Sequence, residues 1–265
     1  MLESMLSFKK VKERPFLMFF WAFFVTMIAV FISTELNMSI GVDGGFMAVV
    51  FTIIPSVFFI TTLIKREEEM DETAVKRHLK IGFWGRHGQD ILILLLFFFG
   101  ITAAFSLSYH FVPEGFYQSQ TSKINQILGV TGKITSMATD QKAMFMHTIF
   151  TNNMNVMLFS FFFSFIFGAG AVFIIAWNAS VLGIRIGQLS TNPWDIPAHT
   201  LPYLPHGVLE IGGYLCAGLA GGIMSAAFIR KNNTKVLKYI AVDSMKIILL
   251  GFALIFLGAV VEVYL

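Results

Sequence analysis

The sequence predicts an all-α, polytopic transmembrane helical bundle of about seven crossings, and three observations predict it. Hydrophobic residues make up 56% of the 265 and charged residues only 13%, roughly half the charge with which a soluble domain covers its surface. Thirty residues are phenylalanine and the mean hydropathy is +0.73; Phe serves well against lipid and poorly against water. Uncharged stretches recur at lengths that cross a hydrocarbon core about 30 Å thick, which takes about 20 helical residues.

The first three spans run from Pro15 to Thr34, Gly44 to Ile64 and Ile91 to Pro113. Ala143 to Ile184 carries no Asp, Glu, Lys or Arg and is too long for one helix. It divides where Asn152, Asn153 and Asn155 mark a polar start, Val156 to Trp177 forms the fourth span and Asn178 marks its exit. Ile211 to Ile229 follows. Ile247 to Val261 is the last span, ending in Glu262 and Tyr264, which can sit among headgroups.

Lys9, Lys10, Lys12 and Arg14 precede the first span, so the positive-inside rule puts the N-terminus in the cytoplasm. The first apolar run is long for a signal peptide and no small-x-small site follows, which favours an uncleaved anchor. A single crossing from Ile211 to Ile229 would leave Arg230, Lys231, Lys235, Lys238 and Lys246 outside. One more crossing restores the rule, and Asn178 to Thr191 supplies it as a short or half-length helix before the irregular return through Pro193, Pro197, Pro202 and Pro205. Seven crossings then put the C-terminus outside, with 15 of the 19 Lys and Arg cytoplasmic. The basic residues are accounted for by topology, which leaves no nucleic-acid partner to invoke.

Three regions follow: an N-terminal transmembrane hairpin (1–64), a charged cytoplasmic linker (65–90) and a membrane domain (91–265). The linker spaces its acids and bases for i,i+4 pairs and reads as solvated. Within the membrane domain an external segment, 114–155, places Ile124, Ile127, Leu128, Ile134 and Met137 among polar residues. That pattern suits an amphipathic helix broken near Gly129 and Gly132.

Charge inside a span costs about 2.5 to 3.5 kcal/mol on insertion scales, so Arg185, His206 and Glu210 require a reason. His206 and Glu210 are i,i+4 on one helix face, and a bidentate Arg185–Glu210 pair would clamp the short helix. The alternatives are a transport or binding cluster, or a metal site in which His199 joins His206 and Glu210. No second-shell pattern supports the metal site, and neither metal nor cofactor is expected. Gly183 with Gly187 and Gly218 with Gly222 form two GxxxG faces for close helix packing, inside the chain or in a dimer. Asn153 and Asn178 read as helix-end caps. Cys216 is the single cysteine, so no disulfide framework can form. No HExxH, GxSxG or phosphate loop is present.

Several of these features resemble one family. NNMNV at Asn152–Val156, a span with FGAG, WNASVLG, LPHGVLE followed by small residues, and the closing AVVEVYL are similar to the stage II sporulation protein M family across about Ile91 to Leu265. The resemblance carries to Asn153, Asn178, Gly183, Pro205, His206, Gly207, Glu210 and Glu262. Ala179 stands where the family has Gly, and residues 1 to 90 have no counterpart. The family's named member is implicated in engulfment in spore-forming bacteria, where it resembles a scaffold for cell-wall hydrolases; archaeal relatives lack that wall. The resemblance implies a non-enzymatic plasma-membrane protein that anchors or organises partners on its external face. A homo-oligomer, with a dimer favoured, is expected alongside lipid contact. The alternative is a transporter, channel or lipid-handling protein working through Arg185, His206 and Glu210.

Overall fold

The computed structural model describes residues 8–77, 83–131, 139–168, 170–230 and 234–264, and among them are ten α-helices and no strand. A short α1 (Phe8–Glu13) precedes α2 (Phe16–Ile40), which ends at Gly41 with φ 68°. Then come α3 (Gly44–Arg77), α4 (Phe83–Ser108), α5 (Gln118–Thr131), α6 (Thr139–Phe167) and α7 (Ala171–Leu189). A 3-10 turn at Pro193–Asp195, α8 (Ile196–Thr200) and a second 3-10 turn at Leu201–Tyr203 lead into α9 (Leu204–Ile229), and α10 (Thr234–Tyr264) closes the chain.

Seven segments are long and apolar enough to cross a membrane: α2, α3, α4, α6, α7, the stretch ending in α9, and α10. They alternate in direction, so the start of α2 and the end of α10 lie at opposite ends of the bundle. The end carrying Lys12, Arg230 and Lys235 is termed the basic end, and the other the far end.

One group of helices joins α2, α4 and α7, another joins α6, α9 and α10, and α3 packs between them. Small residues set these distances. A Cβ on Gly100 of α4 would lie 2.4 Å from the Phe19 carbonyl oxygen of α2, and one on Gly221 of α9 would lie 2.3 Å from that of Phe161 on α6. Neither backbone oxygen can swing aside as a flexible side chain would. Gly183 and Gly187 meet α4, where Ser106 Oγ donates to the Gly183 carbonyl at 2.9 Å. Gly218 lies against Ala171, and Gly222 against Ile64 and the Gly168 carbonyl. Both GxxxG faces are thus used within the chain. Large apolar side chains point the other way, with Phe16, Phe20, Phe24, Ile28 and Phe31 of α2 all exposed, as lipid-facing residues are.

The structure corrects several boundaries. The fourth and fifth crossings part at Gly168, φ +71°, rather than at Asn178. Ser164 Oγ receives the Ala171 N–H at 3.1 Å there, satisfying one free donor at the start of α7. Val156–Trp177 is therefore not a span, and α7 is no half-length helix, since its 19 residues reach about 28 Å. Asn178 lies within α7 and donates to the Ile174 carbonyl at 2.8 Å, so it caps no helix end; Asn153, inside α6, caps none either.

The segment expected outside is also shorter than 114–155, because residues 139–155 belong to α6. Gly129 does not break α5, which continues to Thr131; Gly132, Ile134 and Met137 lie outside the described residues. Ile124 turns into the bundle and is buried, whereas Ile127 is exposed. The charged linker is helical through Arg77, but it is not simply solvated, because Glu67 and Glu68 are buried.

Candidate functional site

Three helices bring polar side chains together toward the far end. Pro205, in the first turn of α9, is a position where a missing N–H costs nothing. His206, the next residue, and Glu210 share a face, and Tyr214 continues it. Gly258 of α10 lets that face approach closely, since a Cβ there would lie 2.8 Å from Glu210 Cγ and 3.4 Å from the His206 carbonyl oxygen. A turn beyond Gly258, Glu262 reaches the same place.

Asn153 projects from α6 into this junction. Its Nδ2 donates to Glu210 Oε1 at 2.5 Å, and its Oδ1 accepts from the Tyr214 hydroxyl at 2.5 Å. Glu262 lies near enough to Glu210 and to His206 for their charges to interact. Asn153 and Tyr214 are buried, Glu210 and His206 half-buried, and Glu262 exposed. The junction is thus dry where α6 meets α9 and open on the α10 side. It fixes α6 to α9, with α10 packed closely against both Glu210 and His206.

Arg185 is not part of it. No Arg185–Glu210 ion pair occurs among the described residues; Glu210 is engaged by Asn153 and Glu262, while Arg185 sits half-buried on α7. Helix α7 packs chiefly on α4, with α6 and α10 as the main neighbours of α9, which explains the separation. Nor do His199, His206 and Glu210 gather: among the described residues no group of three or more His, Cys, Asp or Glu is arranged to hold a metal ion. Gly207 faces open space.

Of the residues singled out in the sequence, Asn153, His206, Glu210 and Glu262 come together, while Asn178, Gly183, Gly187, Gly218 and Gly222 serve packing elsewhere. Tyr214 was missed, although its i+4 spacing from Glu210 was a readable signal. Two apolar hollows of the bundle include none of these polar residues. One lies between Ile60, Leu94 and Leu215, and the other, about 370 Å³, between Met224, Phe228 and Leu237.

A family model described as Stage II sporulation protein M matches residues 91–265. An uncharacterized protein of Methanocaldococcus jannaschii is 27% identical over 121 residues, covering 44% of this chain and 68% of that protein. No solved structure matches.

Proposed function

The chain belongs to the stage II sporulation protein M family, and from that premise we propose that it is a non-enzymatic anchor organising envelope or membrane-remodelling partners at its far end. The observation that carries this reading is the platform built at that end. Helix α5 is fastened to the bundle by buried Phe116, Tyr117 and Ile124, with Tyr117 and Ser108 hydroxyls 2.6 Å apart and Ser119 donating to Asp43 at 2.5 Å. Beside it, Asn192 and Asp195 form a capping box that holds Trp194 outward, 90% exposed. Entropy already lost in ordering such a surface need not be lost again when a partner docks.

The positive-inside rule places this platform outside the cell membrane and the basic end in the cytoplasm. Because both GxxxG faces are occupied internally, a homodimer would form through another face, such as the exposed stripe of α2. The transport alternative rests on one observation, the Glu210–Glu262 carboxyl pair within membrane-spanning segments.

Photo-crosslinking distinguishes the two readings. A photoreactive residue in place of Trp194 should capture a discrete partner in native membranes, and Glu210→Gln should leave that capture unchanged. Reproducible Glu210-dependent proton or ion flux in liposomes, with no captured partner, would replace the anchor reading with transport.

A further inference from the structure

A second polar cluster lies at the basic end, away from the junction at the far end. His87, near the start of α4, is fully buried. Its Nδ1 is 2.7 Å from Glu67 Oε2 on α3 and its Nε2 is 2.8 Å from Asp243 Oδ2 on α10. Both carboxylates are themselves buried. Other charges surround this core. Lys12 of α1 lies 2.5 Å from Asp90 on α4 and 3.9 Å from Glu67, and Lys246 lies 3.8 Å from the other Asp243 oxygen. Arg230, past the end of α9, closes on Glu68 at 3.0 Å and Glu69 at 2.6 Å. Further interactions also reach Lys12, Arg66, Glu68, Glu72, His87 and Asp243.

The ring's chemistry makes this geometry informative. A neutral imidazole has one N–H and one lone pair, whereas an ionised carboxylate only accepts. Between two carboxylates a neutral ring satisfies one bond and sets lone pair against lone pair at the other. An imidazolium satisfies both, and both become charge-assisted. The contact also joins separate parts of the chain: Glu67 and His87 precede the family match, and Asp243 lies inside it.

We propose that His87 is held as an imidazolium and acts as a charge-locked clasp, fastening α3 and α4 to the last span, α10, and releasing them when the ring loses its proton. The clasp is closed at the lower pH and opens as pH rises, because deprotonation removes one of the two donors. Opening would free the basic-end contact between α3, α4 and α10 without touching the Asn153–Glu210 junction at the far end.

The test uses full-length protein in lipid nanodiscs with 15N-labelled histidine, His87→Gln assigning the ring's resonances. At neutral pH both His87 nitrogens should carry protons. As pH rises to the point where one is lost, the protection of amides 62–70 and 236–246, corrected for the base-catalysed rise of the intrinsic exchange rate, should fall about tenfold or more. Asp243→Asn provides a second variant that retains side-chain shape. Its amide can donate to the ring, so a neutral imidazole then satisfies both bonds and the doubly protonated signature should vanish at neutral pH. A wild-type ring that is neutral at pH 7, its proton held instead by a carboxyl group, would overturn the proposal. So would corrected protection that ignores the deprotonation, or an Asp243→Asn ring that remains doubly protonated.

Discussion

The Asn153 side chain of α6 both donates to Glu210 and accepts from Tyr214 of α9, each at 2.5 Å, so one amide spans two residues a helical turn apart. With both ends engaged, the amide fixes the rotation of α9 against α6. Asn153→Ala should strand the Tyr214 hydroxyl in a dry interface and cost about 1–3 kcal/mol, read as a lower Tm in detergent. In a double-mutant cycle with Glu210→Gln the losses should be non-additive by about 0.5 kcal/mol or more.

Arg185 and Glu210 should behave as strangers. Arg185→Ala and Glu210→Ala, alone and together, should give stability losses that add to within about 0.5 kcal/mol, as expected of residues sharing no partner. Strong coupling in the same Tm measurements would show that the ion pair expected from the sequence does form.

Glycine substitutions should separate packing from propensity. Gly221→Ala sets a methyl group 2.3 Å from the Phe161 carbonyl oxygen, and the overpacking should cost about 1–3 kcal/mol. Gly207→Ala, where nothing lies within 4 Å of the new methyl, should be neutral or stabilising by up to about 1 kcal/mol. Thermal unfolding of the two variants side by side checks the contrast.

Tyr117 gives the far-end platform a pH limit. Burial raises its phenol above the ordinary value, and the bond with Ser108 offsets only part of that rise. The folded state therefore keeps the proton after the unfolded state has lost it, so the contribution is intact below about pH 10 and is lost as pH climbs further. The protection of α5, corrected for the base-catalysed rise of the intrinsic exchange rate, should fall above that pH in wild type. Tyr117→Phe should lose about 1 kcal/mol at neutral pH and show no such alkaline step.

Much of the fold was legible because lipid imposes simple rules. Uncharged length located the first three spans, and charge asymmetry demanded a crossing between Trp177 and Ile211 even before its boundaries were known. The boundary was misplaced because asparagine ordinarily marks helix ends, yet inside a span Asn178 satisfies itself on the Ile174 carbonyl. Gly168, free to adopt a positive φ, was the better signal.

The far-end junction was legible only in part. His206 and Glu210 stood out through local spacing, and Glu262 through resemblance. Their assembly with Asn153 and Tyr214 depends on which helices neighbour α9, and periodicity does not encode that. The His87 clasp went unread for the same reason: its members are 20 and 156 positions apart, Glu67 and His87 within a stretch whose charges suit a solvated linker and Asp243 in the last helix. Ile124 shows the related limit for amphipathic segments, since a pattern reveals that one face is apolar but not whether bundle or partner covers it.

Cysteine accessibility tests most directly whether the docking platform faces outward. In a Cys216→Ser background, Trp194→Cys should react with a membrane-impermeant maleimide on intact cells, and Lys235→Cys should react only after the membrane is opened. Labelling of both from one side, or the reverse pattern, would contradict the outward-facing, seven-crossing anchor.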